Sequence, residues 1–92
     1  MAKYQVFETQ RFQLDKEDLL TKEHQFIVEK LKNYVYPQLR QQPFYGKNIK
    51  KLRNFVPPTW RYRIGDWRFF YSIDDEKRLI FMLKADNRKD AY

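Results

Sequence analysis

The sequence predicts an α+β fold, with helices packed on one face of a single sheet. Three observations carry this. Apolar residues recur at helical spacing in the N-terminal half and alternate with polar ones in the C-terminal half. The pair Gly65-Asp66 lies between two alternating segments, where a two-residue hairpin turn belongs. The order along the chain is strand, helices, then a three-strand meander, and such a layout stacks the helices on one sheet face.

Each element follows from its residues. Residues 4–9 (Tyr4-Gln5-Val6-Phe7-Glu8-Thr9) are short, aromatic and β-branched, and read as a strand. A helix start is expected at Asp15 as N-cap, with Asp18 at the third helical position and Leu14 and Leu19 as a hydrophobic staple. Thr21 offers a second start, with Glu23 in its first turn; two helices and one interrupted helix both fit. Ile27, Leu31, Tyr34 and Val35 then form a helical stripe, which Pro37 should end or kink. Pro43, Tyr45 and Gly46 mark a loop before Lys47. Residues 59–64 alternate, with Trp60, Tyr62 and Ile64 on one face and Arg61 and Arg63 on the other. Gly65 comes first in the turn, as type II′ prefers. Residues 67–73 put Trp67, Phe69, Tyr71 and Ile73 on one face and Arg68, Phe70 and Ser72 on the other. After the polar turn Asp74-Asp75-Glu76-Lys77, residues 78–84 form a third strand. Its nearly continuous run Leu79-Ile80-Phe81-Met82-Leu83 predicts a central strand covered on both faces.

Composition narrows the function. A chain of 92 residues is one domain, 1–92, with room for one small core. It has no cysteine, hence no disulfide framework and no thiolate chemistry. A single histidine, His24, argues against a clustered-His metal site, and no cofactor or metal is expected. No apolar run approaches the ~20 residues that span a bilayer, and the start of the chain lacks a signal-type apolar segment; no membrane partner and a cytoplasmic location are expected. Aromatics are 18% and hydrophobic residues 42% of the chain, which points to a packed core rather than a disordered basic tail. The net charge of +7 is lopsided: residues 1–46 hold 7 basic and 6 acidic side chains, residues 47–92 hold 12 and 6. A basic, aromatic half fits a polyanion partner, most often nucleic acid, although charge alone fits a solvated basic surface as well.

The alternation makes the polyanion reading sharper. If the Gly65-Asp66 hairpin is in register, Arg61, Arg63 and Arg68 crowd the face opposite the large aromatics. Like charges at cross-strand spacing repel, so such a cluster does not serve stability. Guanidinium forks bind phosphate in pairs of hydrogen bonds. The competing reading pairs these arginines with Asp66, Asp74 or Asp86. Phe70 shares their face, where a ring can stack on a base. Lys47, Lys50 and Lys51 are candidates to grip RNA phosphates, or are simply solvated. Trp60 and Trp67 belong to the core side. His24 is expected at the surface, and Asp74-Asp75-Glu76 is expected to be a solvated turn.

The stretch from Trp60 to Asp74, Trp-Arg-Tyr-Arg-Ile-Gly-Asp-Trp-Arg-Phe-Phe-Tyr-Ser-Ile-Asp, resembles the middle of the RelE/ParE toxin superfamily. Ile49-Lys50-Lys51-Leu52 upstream and Asn87-Arg88-Lys89-Asp90-Ala91-Tyr92 downstream agree with it; residues 4–46 match only in layout. The resemblance implies a small twisted antiparallel sheet with an N-terminal helical hairpin on one face. It implies a toxin of a type II toxin–antitoxin system, a ribosome-dependent mRNA endoribonuclease held inactive by a cognate antitoxin, which at this net charge would be acidic and partly disordered. A ParE-like inhibitor of DNA gyrase and a catalytically inactive RNA-binding member are the alternatives. Carried over by position, Arg61 and Arg63 lie along the mRNA backbone, Arg68 contacts the scissile phosphate, Arg88 is the basic residue of the C-terminal motif, and Tyr92 is its closing tyrosine. Asn87 stands where many relatives have histidine, so Tyr92, or less readily Asp86, is left to move the proton.

Overall fold

The computed structural model describes residues 3–87. Five strands make one sheet in the order β1-β5-β4-β3-β2, with β1 Gln5–Glu8, β2 Ile49–Lys51, β3 Trp60–Ile64, β4 Trp67–Asp74 and β5 Leu79–Asn87. Strands β2 to β5 pair antiparallel, and β1 adds to β5 in parallel. Helix α1 spans Gln10–Thr21. Helix α2, Gln25–Lys30, runs through a π-helical turn, Leu31–Val35, into α3, Tyr36–Gln41. The α+β architecture is the expected one, a helical hairpin on one face of a small sheet. The short edge strand β2 is an element that the sequence pattern did not reveal as a strand.

The helix boundaries correct the sequence reading. Thr9, not Asp15, caps α1: its hydroxyl accepts from the Phe12 amide at 3.2 Å and donates to the Leu83 carbonyl at 3.2 Å. Asp15 lies mid-helix and does different work, accepting the Ala85 amide through Oδ2 at 2.9 Å. β1 pairs with β5 only over Leu79–Met82, so α1 and its carboxylate cover the stretch of β5 edge that β1 leaves open. Thr21 ends α1 rather than starting a second helix. Glu23 follows with φ +63°, and the His24 and Glu23 amides return to the Leu19 and Leu20 carbonyls, a Schellman stop without its usual glycine. Helical backbone continues past Pro37. The π turn ahead of it is the response to the proline: the Tyr36 amide bonds the Leu31 carbonyl, five residues back, before α3 begins with Pro37 in its first turn.

The core lies between the helices and one sheet face. Ile27, Leu31 and Val35 of the predicted stripe are buried, whereas Tyr34 is exposed. They meet Tyr62, Phe69 and Tyr71 from the sheet. Tyr71 donates to the Pro43 carbonyl at 2.7 Å and Tyr62 to Gln38 at 2.7 Å, fastening loop and helix to the sheet. Burial pushes the Tyr71 hydroxyl above its ordinary pKa, and burial with the Glu8 carboxylate does the same to Tyr36. β5 lies inside the sheet between β1 and β4, the middle strand being β4, and among the described residues no layer covers its second face: Phe81 there is partly exposed and stacks on Phe7, ring centroids 6.1 Å apart. No helix among the described residues is long and apolar enough to cross a membrane.

Candidate nucleic-acid interface

The β3–β4 hairpin sets the site. Gly65 has φ +56° and Asp66 does not share a positive φ, as a type II′ turn requires. The two-residue turn puts Ile64 opposite Trp67 and Arg63 opposite Arg68. The register then aligns Lys50, Arg61, Phe70 and Lys84 as successive partners across β2, β3, β4 and β5, and beside them Arg63, Arg68 and Asp86 across β3, β4 and β5. These two rows share the face turned away from the helices.

The charges feel one another. Burial, then the positive charges of Arg63 and Arg68, pull the Arg61 guanidinium below its ordinary pKa. Arg61 Nε is buried and has no hydrogen-bond partner among the described residues. Arg63 Nε donates to the Gly65 carbonyl at 2.7 Å. Arg68 forks onto Asp86, Nε to Oδ1 at 2.8 Å and Nη2 to Oδ2 at 3.0 Å. The Phe70 ring lies under two cations, with Lys84 Nζ 4.8 Å and Arg68 Cζ 5.6 Å from its centroid. The arrangement is a cationic surface: three guanidiniums and two ammoniums on one face with an aromatic ring, and one carboxylate among them.

The structure therefore brings together Arg61, Arg63, Arg68, Phe70 and Lys50. The alternative in which the arginines are paired off holds for Arg68, which Asp86 engages. Lys51 is not part of the group. Its Nζ lies 5.5 Å from the Trp60 ring, because the pleat sends consecutive lysines to opposite faces. Lys47 is exposed in the loop before β2. Arg88 and Tyr92 lie outside the described residues. His24 is half-buried, edge-on to Trp67 at 5.1 Å, rather than free at the surface. Among the described residues no group of three or more His, Asp or Glu side chains is placed to hold a metal ion.

Lys84 was missed for a definite reason. Ile80 and Met82 face the core, so strict alternation would send Lys84 inward as well. The register slips there: Tyr71 pairs with Met82 but Phe70 pairs with Lys84, leaving Leu83 as the extra residue of a bulge. That single residue turns Lys84 to the open face.

No protein-family model matches the chain. Toxin RelG of Mycobacterium tuberculosis is 30% identical over 66 residues, 72% of this chain and 74% of that protein. The chain belongs to the RelE toxin family. The toxin–antitoxin complex RelBE2 of M. tuberculosis contains a chain that is 28% identical and superposes with a TM-score of 0.70, over 94% of this chain and 99% of that one. A chain of the archaeal RelE–RelB complex from Pyrococcus horikoshii, 21% identical, shares the fold with a TM-score of 0.69, over 94% and 96%. In this RelE-family chain, the Arg-x-Arg-x-Gly-Asp-Trp-Arg stretch that carried the resemblance is the β3–β4 hairpin itself, so the motif and the cationic surface are one feature.

Proposed function

We propose that this RelE-family protein is the toxin of a type II toxin–antitoxin pair and an endoribonuclease that cuts mRNA on the ribosome. The observation that carries the reading is the convergence of Arg61, Arg63 and Arg68 around a buried Nε that has no partner among the described residues. In the proposed reaction the RNA 2′-hydroxyl attacks the adjacent phosphorus in line and the bond to the 5′ oxygen breaks. One proton leaves the attacking hydroxyl and one reaches the departing oxygen, giving a 2′,3′-cyclic phosphate and a 5′-hydroxyl. Arg61 and Arg63 hold the backbone, and Arg68 neutralises the charge that builds on the phosphorane. Guanidinium suits that task because it stays charged and offers two donors to two oxygens, so the step needs no metal. The same permanence disqualifies it as a base. Proton transfer falls to Tyr92, aided by Arg88 of the C-terminal motif, or to Asp86, which touches Arg68. A weak base set suits an enzyme whose RNA is positioned by the ribosome.

The solved neighbours are toxin–antitoxin complexes, which supports a cognate antitoxin here, and a +7 chain attracts an acidic one. Expressed without it, the wild type is expected to arrest translation and leave new 5′ ends at codon-defined positions in mRNA. Arg68→Ala should be harmless, since one lost donor at a developing charge costs on the order of 10²–10³ in rate. Arrest with intact mRNA would end the reading, and arrest with DNA damage would replace it by gyrase inhibition.

A further inference from the structure

Beside the guanidinium group, on the same face, lies a cavity of about 210 Å³ lined by Arg11, Phe55, Thr59, Phe70, Leu83 and Lys84. Three parts of the fold build it. Helix α1 contributes Arg11, the β2–β3 connection contributes Phe55 and Thr59, and β4 and β5 contribute the rest. It depends on the bulge, since Leu83 is the extra residue and Lys84 the one turned outward by it. The floor is apolar and aromatic. The rim carries Lys84 and Arg11, whose Nε donates to Asp15 Oδ1 at 3.1 Å, and among the described residues no carboxylate lines the cavity itself.

Size and position restrict the occupant. A cavity of about 150 Å³ holds a benzene ring, and drug-sized ligands need about 300 Å³ or more, so 210 Å³ suits one planar ring system. Phe70 is both a wall of the cavity and the direct cross-strand partner of Arg61, and Arg68 Cζ lies 5.6 Å from the centroid of its ring. An apolar protein side chain inserted here would be buried next to the Lys84 ammonium, which it does not neutralise. A nucleotide supplies both parts, a flat apolar ring for the floor and a phosphate for the arginines. The Thr59 hydroxyl gives its proton to the Pro57 carbonyl at 3.0 Å and Arg11 Nε gives its own to Asp15, so Lys84 and the terminal nitrogens of Arg11 are the source of donors, and they favour a base edge that presents acceptors.

We propose that this cavity receives one nucleobase of the strand whose phosphate lies on Arg61, Arg63 and Arg68. The inference rests on the nuclease reading and adds a base-binding subsite to it. The test is an NMR titration of the labelled full chain with a non-cleavable 2′-O-methyl RNA trimer and with trimers carrying an abasic sugar at each position in turn. Loss of one particular base should weaken binding roughly tenfold, in line with a single stacked base, and the Leu83 methyl and Phe55 ring signals should shift only when that base is present. Phe55→Ala, in a loop where the side chain is 48% exposed, should abolish the difference between the intact and abasic trimers. Arg68→Ala should weaken both alike. Equal affinity of the wild type for all trimers would overturn the subsite and leave the phosphate site standing. No binding of any trimer at millimolar concentration would overturn both.

Discussion

Arg61 has a guanidinium facing like charges and a buried Nε with no acceptor among the described residues. An unsatisfied buried donor costs about 1–3 kcal/mol, and like charges across strands add to it. Under the proposed nuclease reading, a phosphate bound at this residue would offset the repulsion and offer the guanidinium an acceptor. Arg68 is held differently. Its fork is engaged by Asp86, with side chains 25% and 31% exposed, and a polyanion has to compete with that carboxylate. Asp86→Asn keeps the shape and removes the charge. It should tighten binding of non-cleavable single-stranded RNA several-fold and lower stability by less than about 1 kcal/mol. Filter binding and thermal melting check the two halves; an unchanged affinity would mean that Asp86 does not compete. Arg61, Arg63 and Arg68 were legible from alternation alone, because β3 and β4 are regular where those residues sit. Asp15 was misread because a carboxylate ahead of a helical pattern looks like a cap, and only the fold shows that it faces the Ala85 amide.

The hairpin is the element that makes three scattered arginines into one surface. Gly65 has φ +56°, and a Cβ built there meets no atom within 4 Å. Gly65→Ala therefore isolates backbone strain from steric clash. The expected cost is about 1 kcal/mol, a fall of roughly 4–8 °C in Tm for a domain of this size, read by thermal denaturation. Gly65→Asn should recover part of the loss, since asparagine tolerates the left-handed region better than alanine. The bulge at Leu83 and the π turn at Leu31–Val35 were not legible. Each inserts one residue of slack, and a periodicity argument fails at such slack because it assumes a constant repeat. β2 was hidden for another reason. Three residues at a sheet edge bury little and leave no alternation to count.

On the scale of the molecule, the imbalance of charge becomes a face. The helices and the aromatic core occupy one side of the sheet, and Arg61, Arg63 and Arg68 look out from the other. If the three guanidiniums and Lys50 each neutralise a phosphate, the logarithm of affinity for single-stranded RNA should fall against the logarithm of salt with a slope of about −2 to −3, at roughly 0.7 per contact. Arg61→Ala and Arg63→Ala should each reduce that slope by about 0.7. A titration over sodium chloride concentration measures it, and a slope near zero would show that this face does not hold the backbone.

The amino-acid order by itself determined the fold class, the hairpin and the side of the sheet on which Arg61, Arg63 and Arg68 emerge, because all three follow from period and turn chemistry within a few residues. Only the tertiary structure decided that Asp86 engages Arg68, that Lys50 and Lys84 join the arginines while Lys51 does not, and that Phe55 and Arg11 close a cavity against Phe70. Those relations depend on strand register, one bulge and the approach of distant segments, and no local pattern encodes a distance between residues that lie far apart along the chain.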